Sequence, residues 1–177
     1  MKAKIILLMT TCGIASAPLI AQDPSTLLSE VGVRIGQDAE KQINLKSYEL
    51  YSVIDTDWSW ELSQEIRLAL SVEATLGGLS GEDKDAVYAR IAPLGRLQFG
   101  DFPVSLEFSS GPSYYSEDRF SGYDIGGNFH FTSSLGLNWT VDKAWKIGYR
   151  FQHTSNADLD SPNPGLDMHT LSVAYIF

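Results

Sequence analysis

The chain has 177 residues, a length that favours a single domain. Its 13 Lys+Arg against 22 Asp+Glu give a formal charge of −9, so no broad basic surface exists to hold the phosphates of a nucleic acid. A hydrophobic content of 44% excludes a disordered chain, and Cys12, the only cysteine, excludes a disulfide framework or a thiolate metal site.

The first element in chain order is an address. Met1–Ala21 reads as a secretory signal peptide: Lys2 and Lys4 supply the positive start, and Ile5–Ala15 is an uncharged apolar stretch too short to span a bilayer. Small residues suit cleavage after Ala17 or after Ala21; Pro18 disfavours the first, so residues 22–177 are taken as the mature domain. Loss of Lys2 and Lys4 leaves 11 basic and 22 acidic residues, a net charge of −11.

Beyond the leader no run approaches 18 apolar residues, which excludes a transmembrane helix. The recurring period is two. It predicts about eight strands, near 29–36, 45–57, 61–76, 84–99, 103–114, 124–139, 144–155 and 167–177. In the third, Ile66, Leu68, Leu70, Val72, Ala74 and Leu76 share one parity. The last three alternate most cleanly: Phe129 to Trp139, Trp145 to Phe151, and Leu171 to Phe177. Gly77-Gly78, Gly81-Glu82-Asp83, Ser121-Gly122 and Pro162-Asn163-Pro164-Gly165 punctuate the runs.

Period two alone does not say which face is inside. A soluble lipocalin-like barrel turns its apolar parity inward, whereas an outer-membrane barrel turns it to lipid. Three features favour the second: the leader, aromatic residues near strand ends (Trp58, Trp60, Phe99, Trp139, Trp145, Tyr175), and the alternating strand that closes on Phe177. The expected fold is all-β, an eight-stranded antiparallel transmembrane β-barrel. Arg67, Glu73, Arg90, Arg96, Glu107, Lys146 and Arg150 fall on the opposite parity and should fill the interior as paired charges rather than line a pore.

Polar groups on the lipid parity then stand out. His153 and Ser155 continue the parity of Trp145, Ile147, Tyr149 and Phe151, while Asp167 and His169 continue that of Leu171 and Val173. Residues two apart on a strand are same-face neighbours about 6–7 Å apart, so the imidazole can take the serine proton. The two strands are consecutive and antiparallel, so Asp167 can lie beside His153 and orient its ring. Nucleophile, base and acidic orienter are the parts that acyl transfer needs.

The stretch Phe151-Gln152-His153-Thr154-Ser155-Asn156-Ala157, followed by Pro162-Asn163-Pro164-Gly165-Leu166-Asp167, resembles the signature of the lipid A 3-O-deacylase (PagL-type) family of outer-membrane serine hydrolases. The resemblance implies an ester hydrolase with His153 as base, Ser155 as nucleophile and Asp167 as acidic member, where the family usually has Glu. It also implies that oxyanion donors come from the backbone at Asn156, Ala157 and Asp158 and from the Asn163 side chain; the Pro162–Gly165 run reads equally as turn chemistry. Asp158 stands where the family often has Gly. The implied substrate is lipid A of lipopolysaccharide in the bacterial outer membrane, with no cofactor. Homodimerisation stays open.

The other histidines read differently. His130 has interior parity, and His169 reads as an interfacial polar residue rather than a second base. No His/Asp/Glu cluster has metal-ligand spacing. The competing functional classes are a non-enzymatic structural or adhesion barrel, a phospholipid esterase, and a soluble carrier.

Overall fold

A computed structural model of the protein describes residues 27–40, 44–120 and 122–177; the predicted leader lies outside the described residues. Eight strands close into one antiparallel barrel in the order β1-β10-β9-β8-β5-β4-β3-β2. They are β1 (Leu28–Asp38), β2 (Lys46–Glu61), β3 (Ile66–Ser80), β4 (Asp85–Phe99), β5 (Val104–Tyr115), β8 (Phe129–Thr140), β9 (Trp145–Ser155) and β10 (Leu166–Ile176). Between β5 and β8 a small ribbon, β6 (Arg119–Phe120) with β7 (Tyr123–Asp124), stands apart from the barrel sheet.

The period-two reading holds, with shifts at the margins. The second strand runs on through Trp58 and Trp60, and the third begins only at Ile66. Gly77-Gly78 does not end β3 but lies within it, because a Cβ on Gly77 would collide with the Tyr88 ring that fills the lumen there. The sixth predicted strand starts at Phe129 rather than 124, since residues 119–124 are used by the ribbon.

The barrel is inside-out relative to a soluble one. Val33, Ile35, Leu50, Leu76, Ile91 and Leu137 all stand exposed on the outer wall. Inside, Glu73 accepts from Arg34 (3.2 Å), Arg150 (2.8 Å) and Arg90. Glu107 is held by Arg96 (2.8 Å), Lys146 (3.1 Å) and Arg150 (3.2 Å), Glu30 by Arg96 (2.5 Å) and Lys146, and Glu49 by Arg34 and the Tyr88 hydroxyl (2.6 Å). An apolar wall around a neutralised polar filling is stable only where hydrocarbon is the solvent. Glu30, Arg34 and Glu49 join this network beyond the residues foreseen.

Arg67 is the exception among the predicted interior charges. Its side chain is 52% exposed and meets Glu61 at 3.5 Å and Ser59 at 3.1 Å. The reason is strand length: β1 pairs with β2 only as far as Leu28 opposite Ile54, so the end of the β2–β3 hairpin has β4 on one side but no β1 on the other.

The two ends differ. Short turns at 62–65, 100–103 and 141–144 mark one end, and the exposed Trp58, Trp60, Phe99, Trp139, Trp145 and Tyr175 all gather there as an interfacial girdle. The opposite end carries the longer connections 116–128 and 156–165, with Tyr48, Tyr114 and Phe129 exposed on its rim. There Phe120, in the ribbon, and Ile125, just after it, bury against Leu45, Leu79, Tyr88, Tyr115 and Met168 and stopper the mouth.

Candidate active site

The site sits at the loop end, on the outer face of β9 and β10. Register places His153 directly opposite Asp167. His153 Nδ1 and Asp167 Oδ1 are 2.5 Å apart, so the direct cross-strand pairing brings the shorter Asp side chain within reach of the ring. His153 is exposed, and Asp167 and Ser155 are half-buried. With Nδ1 engaged by the carboxylate, Nε2 is the ring nitrogen left to accept a proton. Ser155 is two residues on along the same face, and its hydroxyl makes no hydrogen bond among the described residues.

Both residues are outward because the one between them is anchored inward. Thr154 is buried, with its hydroxyl 2.9 Å from that of Thr132 and 3.5 Å from that of Tyr115. Period two then fixes the orientation of its neighbours. Gly165, at φ +79°, adjoins the His153 ring: a Cβ there would lie 3.0 Å from Cε1. Its carbonyl accepts from the Tyr123 hydroxyl at 2.8 Å, so the ribbon holds the start of β10 in place.

The loop after Ser155 is built on Asn156, which is wholly buried. Its Nδ2 donates to the carbonyls of Gly126 (2.8 Å), Asp160 (2.9 Å) and Pro162 (3.2 Å), and its Oδ1 accepts from the Asp158 N–H (2.9 Å). Asn163 Oδ1 accepts from the Asn156 N–H (3.1 Å), and Asn163 Nδ2 donates to Asp158 Oδ1 (2.9 Å). Three of the four expected oxyanion donors are therefore committed to the loop itself: the Asn156 and Asp158 N–H groups and the Asn163 amide. Ala157 N–H donates to no acceptor among the described residues.

Ala157 and Asp158 both adopt left-handed backbone, at φ +53° and +61°. Such a conformation is uncommon for residues other than glycine. Here the Asp158 carboxylate is tied to Asn163.

Around the site the charge is acidic. Behind Asp167 lies a notch of about 30 Å³ lined by Asp38, Glu40, Tyr123 and the Pro164–Leu166 backbone. Burial, followed by the fields of Glu40, Asp38 and Asp167, pushes the Tyr123 phenol above its ordinary value. In the ribbon, the Gly126 N–H and then Arg119 hold Asp124 below the usual carboxylate range.

The remaining histidines occupy the predicted faces. His130 is buried inside, with Nε2 2.8 Å from the Gly127 carbonyl and its ring edge-on to Tyr115. His169 is exposed on the outer wall, where Nδ1 meets the Tyr149 hydroxyl at 2.7 Å. No cluster of His, Cys, Asp and Glu among the described residues could hold a metal ion.

Comparison with known proteins matches residues 46–176 to the family model described as lipid A 3-O-deacylase (PagL). Over 72 residues the chain is 36% identical to the lipid A deacylase PagL of Bordetella bronchiseptica, a match spanning 41% of this chain and 40% of that protein. The crystal structure of the outer membrane enzyme PagL superposes with a TM-score of 0.74 at 22% identity, covering 84% of this chain and all of that one. A de novo designed transmembrane β-barrel superposes at 0.52 with 12% identity, covering 89% of this chain and all of the design. The chain belongs to the lipid A 3-O-deacylase (PagL) family, and its barrel is of the outer-membrane kind.

Proposed function

We propose that this chain removes an ester-linked acyl chain from the 3-position of lipid A, with Ser155 as nucleophile, His153 as general base and Asp167 as orienter, on the lipid-facing side of the barrel. The first 21 residues serve as the secretory leader that takes it there. The observation that carries the reading is the outward His153–Asp167 pair, which leaves Nε2 open two residues along the same face from Ser155, whose hydroxyl bonds to none of the described residues. An imidazole–carboxylate pair with one free nitrogen is what a serine needs to become a nucleophile.

In this reaction Ser155 Oγ attacks the ester carbonyl and passes its proton to His153 Nε2. Negative charge forms on the former carbonyl oxygen, where the Ala157 N–H, which donates to no acceptor among the described residues, serves as backbone donor. Collapse breaks the ester C–O bond, and the imidazolium returns its proton to the departing sugar oxygen. Water, deprotonated by His153, then cleaves the acyl-serine to give a fatty acid and restore Ser155. Asp167 keeps the ring in the required tautomer and stabilises its cationic form.

Depth agrees with this substrate. At about 3.3 Å per residue and a tilt of about 40°, His153 lies about 20 Å above Trp145 in the lower girdle, near the top of an apolar band about 25 Å tall. A lipid ester arriving by lateral diffusion sits at that border, with no need for a pore.

The test is a mass spectrum of lipid A from cells carrying wild-type protein or Ser155→Ala. Wild type should release one 3-linked acyl chain. Ser155→Ala should lower the rate on the order of 10⁴-fold or more while the barrel assembles normally. Full activity in the variant would remove Ser155 from the reaction, and loss of phospholipid ester with intact lipid A would reassign the substrate.

A further inference from the structure

Register lays a row of polar side chains across the outer wall. Ser110 of β5 faces Ser133 of β8, Ser133 faces His153 of β9, and His153 faces Asp167 of β10. Directly opposite residues hold their Cβ atoms about 5 Å apart, so Ser133 flanks His153 on the side away from Asp167, and Ser155 is its diagonal neighbour at about 7–8 Å. Both serines are exposed, and their hydroxyl oxygens lie 2.9 Å apart.

The row runs deeper into the apolar wall as it leaves the catalytic pair. Asp167 is the first outward residue of β10, and His153 has only Ser155 beyond it on β9. Beyond Ser133, β8 still carries Phe131 and Phe129; beyond Ser110, β5 carries Pro112 and Tyr114. One step below, Phe108 faces Leu135. The two serines are therefore bordered above and below by exposed apolar and aromatic side chains, whereas a merely interfacial polar pair would stand past the last of them.

Their hydrogen bonding is half complete. Each hydroxyl has one proton to give, and the bond between them uses one of the two. Among the described residues neither hydroxyl makes another hydrogen bond, so one donor is left for a molecule outside the wall. In hydrocarbon that donor is unfavourable until a lipid brings an acceptor to it. With Ser110 donating to Ser133, the proton left over is the one beside His153, and the first bond polarises it.

The acceptor must lie close to the scissile ester. In a glucosamine lipid the ring carbon next to the 3-position carries an amide-linked chain, whose carbonyl is a good acceptor a few bonds from the reacting carbonyl. Resting on the lipid A reading above, we infer that Ser133, with Ser110 donating to it, binds this amide carbonyl. The serine pair is then a substrate-binding subsite on the β8 side of His153, across the ring from Asp167. It favours an ester flanked by an amide over a glycerolipid whose chains are all ester-linked.

The experiment uses the full-length protein in mixed detergent micelles with two synthetic lipid A analogues. One keeps the amide next to the 3-linked ester; the other carries an ether-linked chain of equal length there, without the carbonyl. Ser133→Ala should raise KM for the amide substrate about fivefold with kcat little changed, and move KM for the ether analogue less than about twofold. Ser133→Thr, which keeps the hydroxyl, should restore most of the loss, and Ser110→Ala should raise KM for the amide substrate about twofold. Unfolding of Ser133→Ala in urea should match wild type, because a methyl suits a lipid-facing wall. An unchanged KM for Ser133→Ala, an equal rise on both analogues, or a loss of stability in place of the KM change would overturn the subsite alone. A wild-type protein that cleaves neither analogue would overturn the lipid A reading and this inference with it.

Discussion

The two faces of β9 and β10 use the same kinds of side chain to opposite ends. Inward, Arg150 reaches both Glu73 and Glu107, and each of those carboxylates meets three cations. Outward on the same strand, His153 meets one carboxylate and keeps one nitrogen free. Saturation makes the first set a scaffold, because no member can change charge without stranding several others in a closed lumen. Incompleteness is what the proposed chemistry requires of the second set.

Asp167→Asn is the sharpest way to break that contrast. It should reduce kcat on the order of 10⁴-fold by releasing the ring from its required tautomer. Unfolding in urea should be nearly unchanged, since the lost pair is partly exposed. A large loss of stability would mean that the outer pair is scaffold as well.

Glu73→Ala should do the reverse. It leaves Arg34, Arg90 and Arg150 short of a carboxylate in the lumen and should cost about 3–5 kcal/mol in the urea unfolding equilibrium. The fraction that still folds should deacylate at the wild-type rate. A proportional fall in specific activity would show that lumen and site are coupled.

Gly165→Ala probes a smaller displacement. The new methyl would press on His153 Cε1 from a backbone at φ +79°, so the ring must shift by a fraction of an ångström. Such misplacement should lower kcat up to about 10²-fold with modest change in KM. Unaltered kcat would mean that the ring tolerates more freedom than its short bond to Asp167 suggests.

The parts of the molecule that were legible in the sequence are those where one strand carries its own message. The alternation of β8, β9 and β10 announced both strand and face, and the His153, Ser155 and Asp167 parity could be read directly. Arg67 was misplaced because parity says which side a residue takes but not whether a neighbouring strand extends far enough to cover it. Glu30 and Arg34 were overlooked because β1 is interrupted by Gly32 and Gly36, which blur its period, and Glu49 lies on the neighbouring β2. An outer-wall groove of about 420 Å³ between Ile35, Tyr48, Tyr149 and Leu171 was invisible for a different reason: its walls come from four strands, two near the start of the chain and two near its end, and only barrel closure brings β1 against β10. Asn156 looked like a donor to substrate, when burial makes it the organiser of its own loop.

That one amide has a bearing on how the loops of such a protein can vary. Asn156 ties the connection before β8, through Gly126, to the connection before β10, through Asp160 and Pro162. Tyr123 adds a second tie to Gly165. Neither loop can then be lengthened, shortened or exchanged on its own without unseating the other. A chimera that transplants one of them from a relative inherits half of an interlocked pair. The unit of inheritance at this end of the barrel is both loops together.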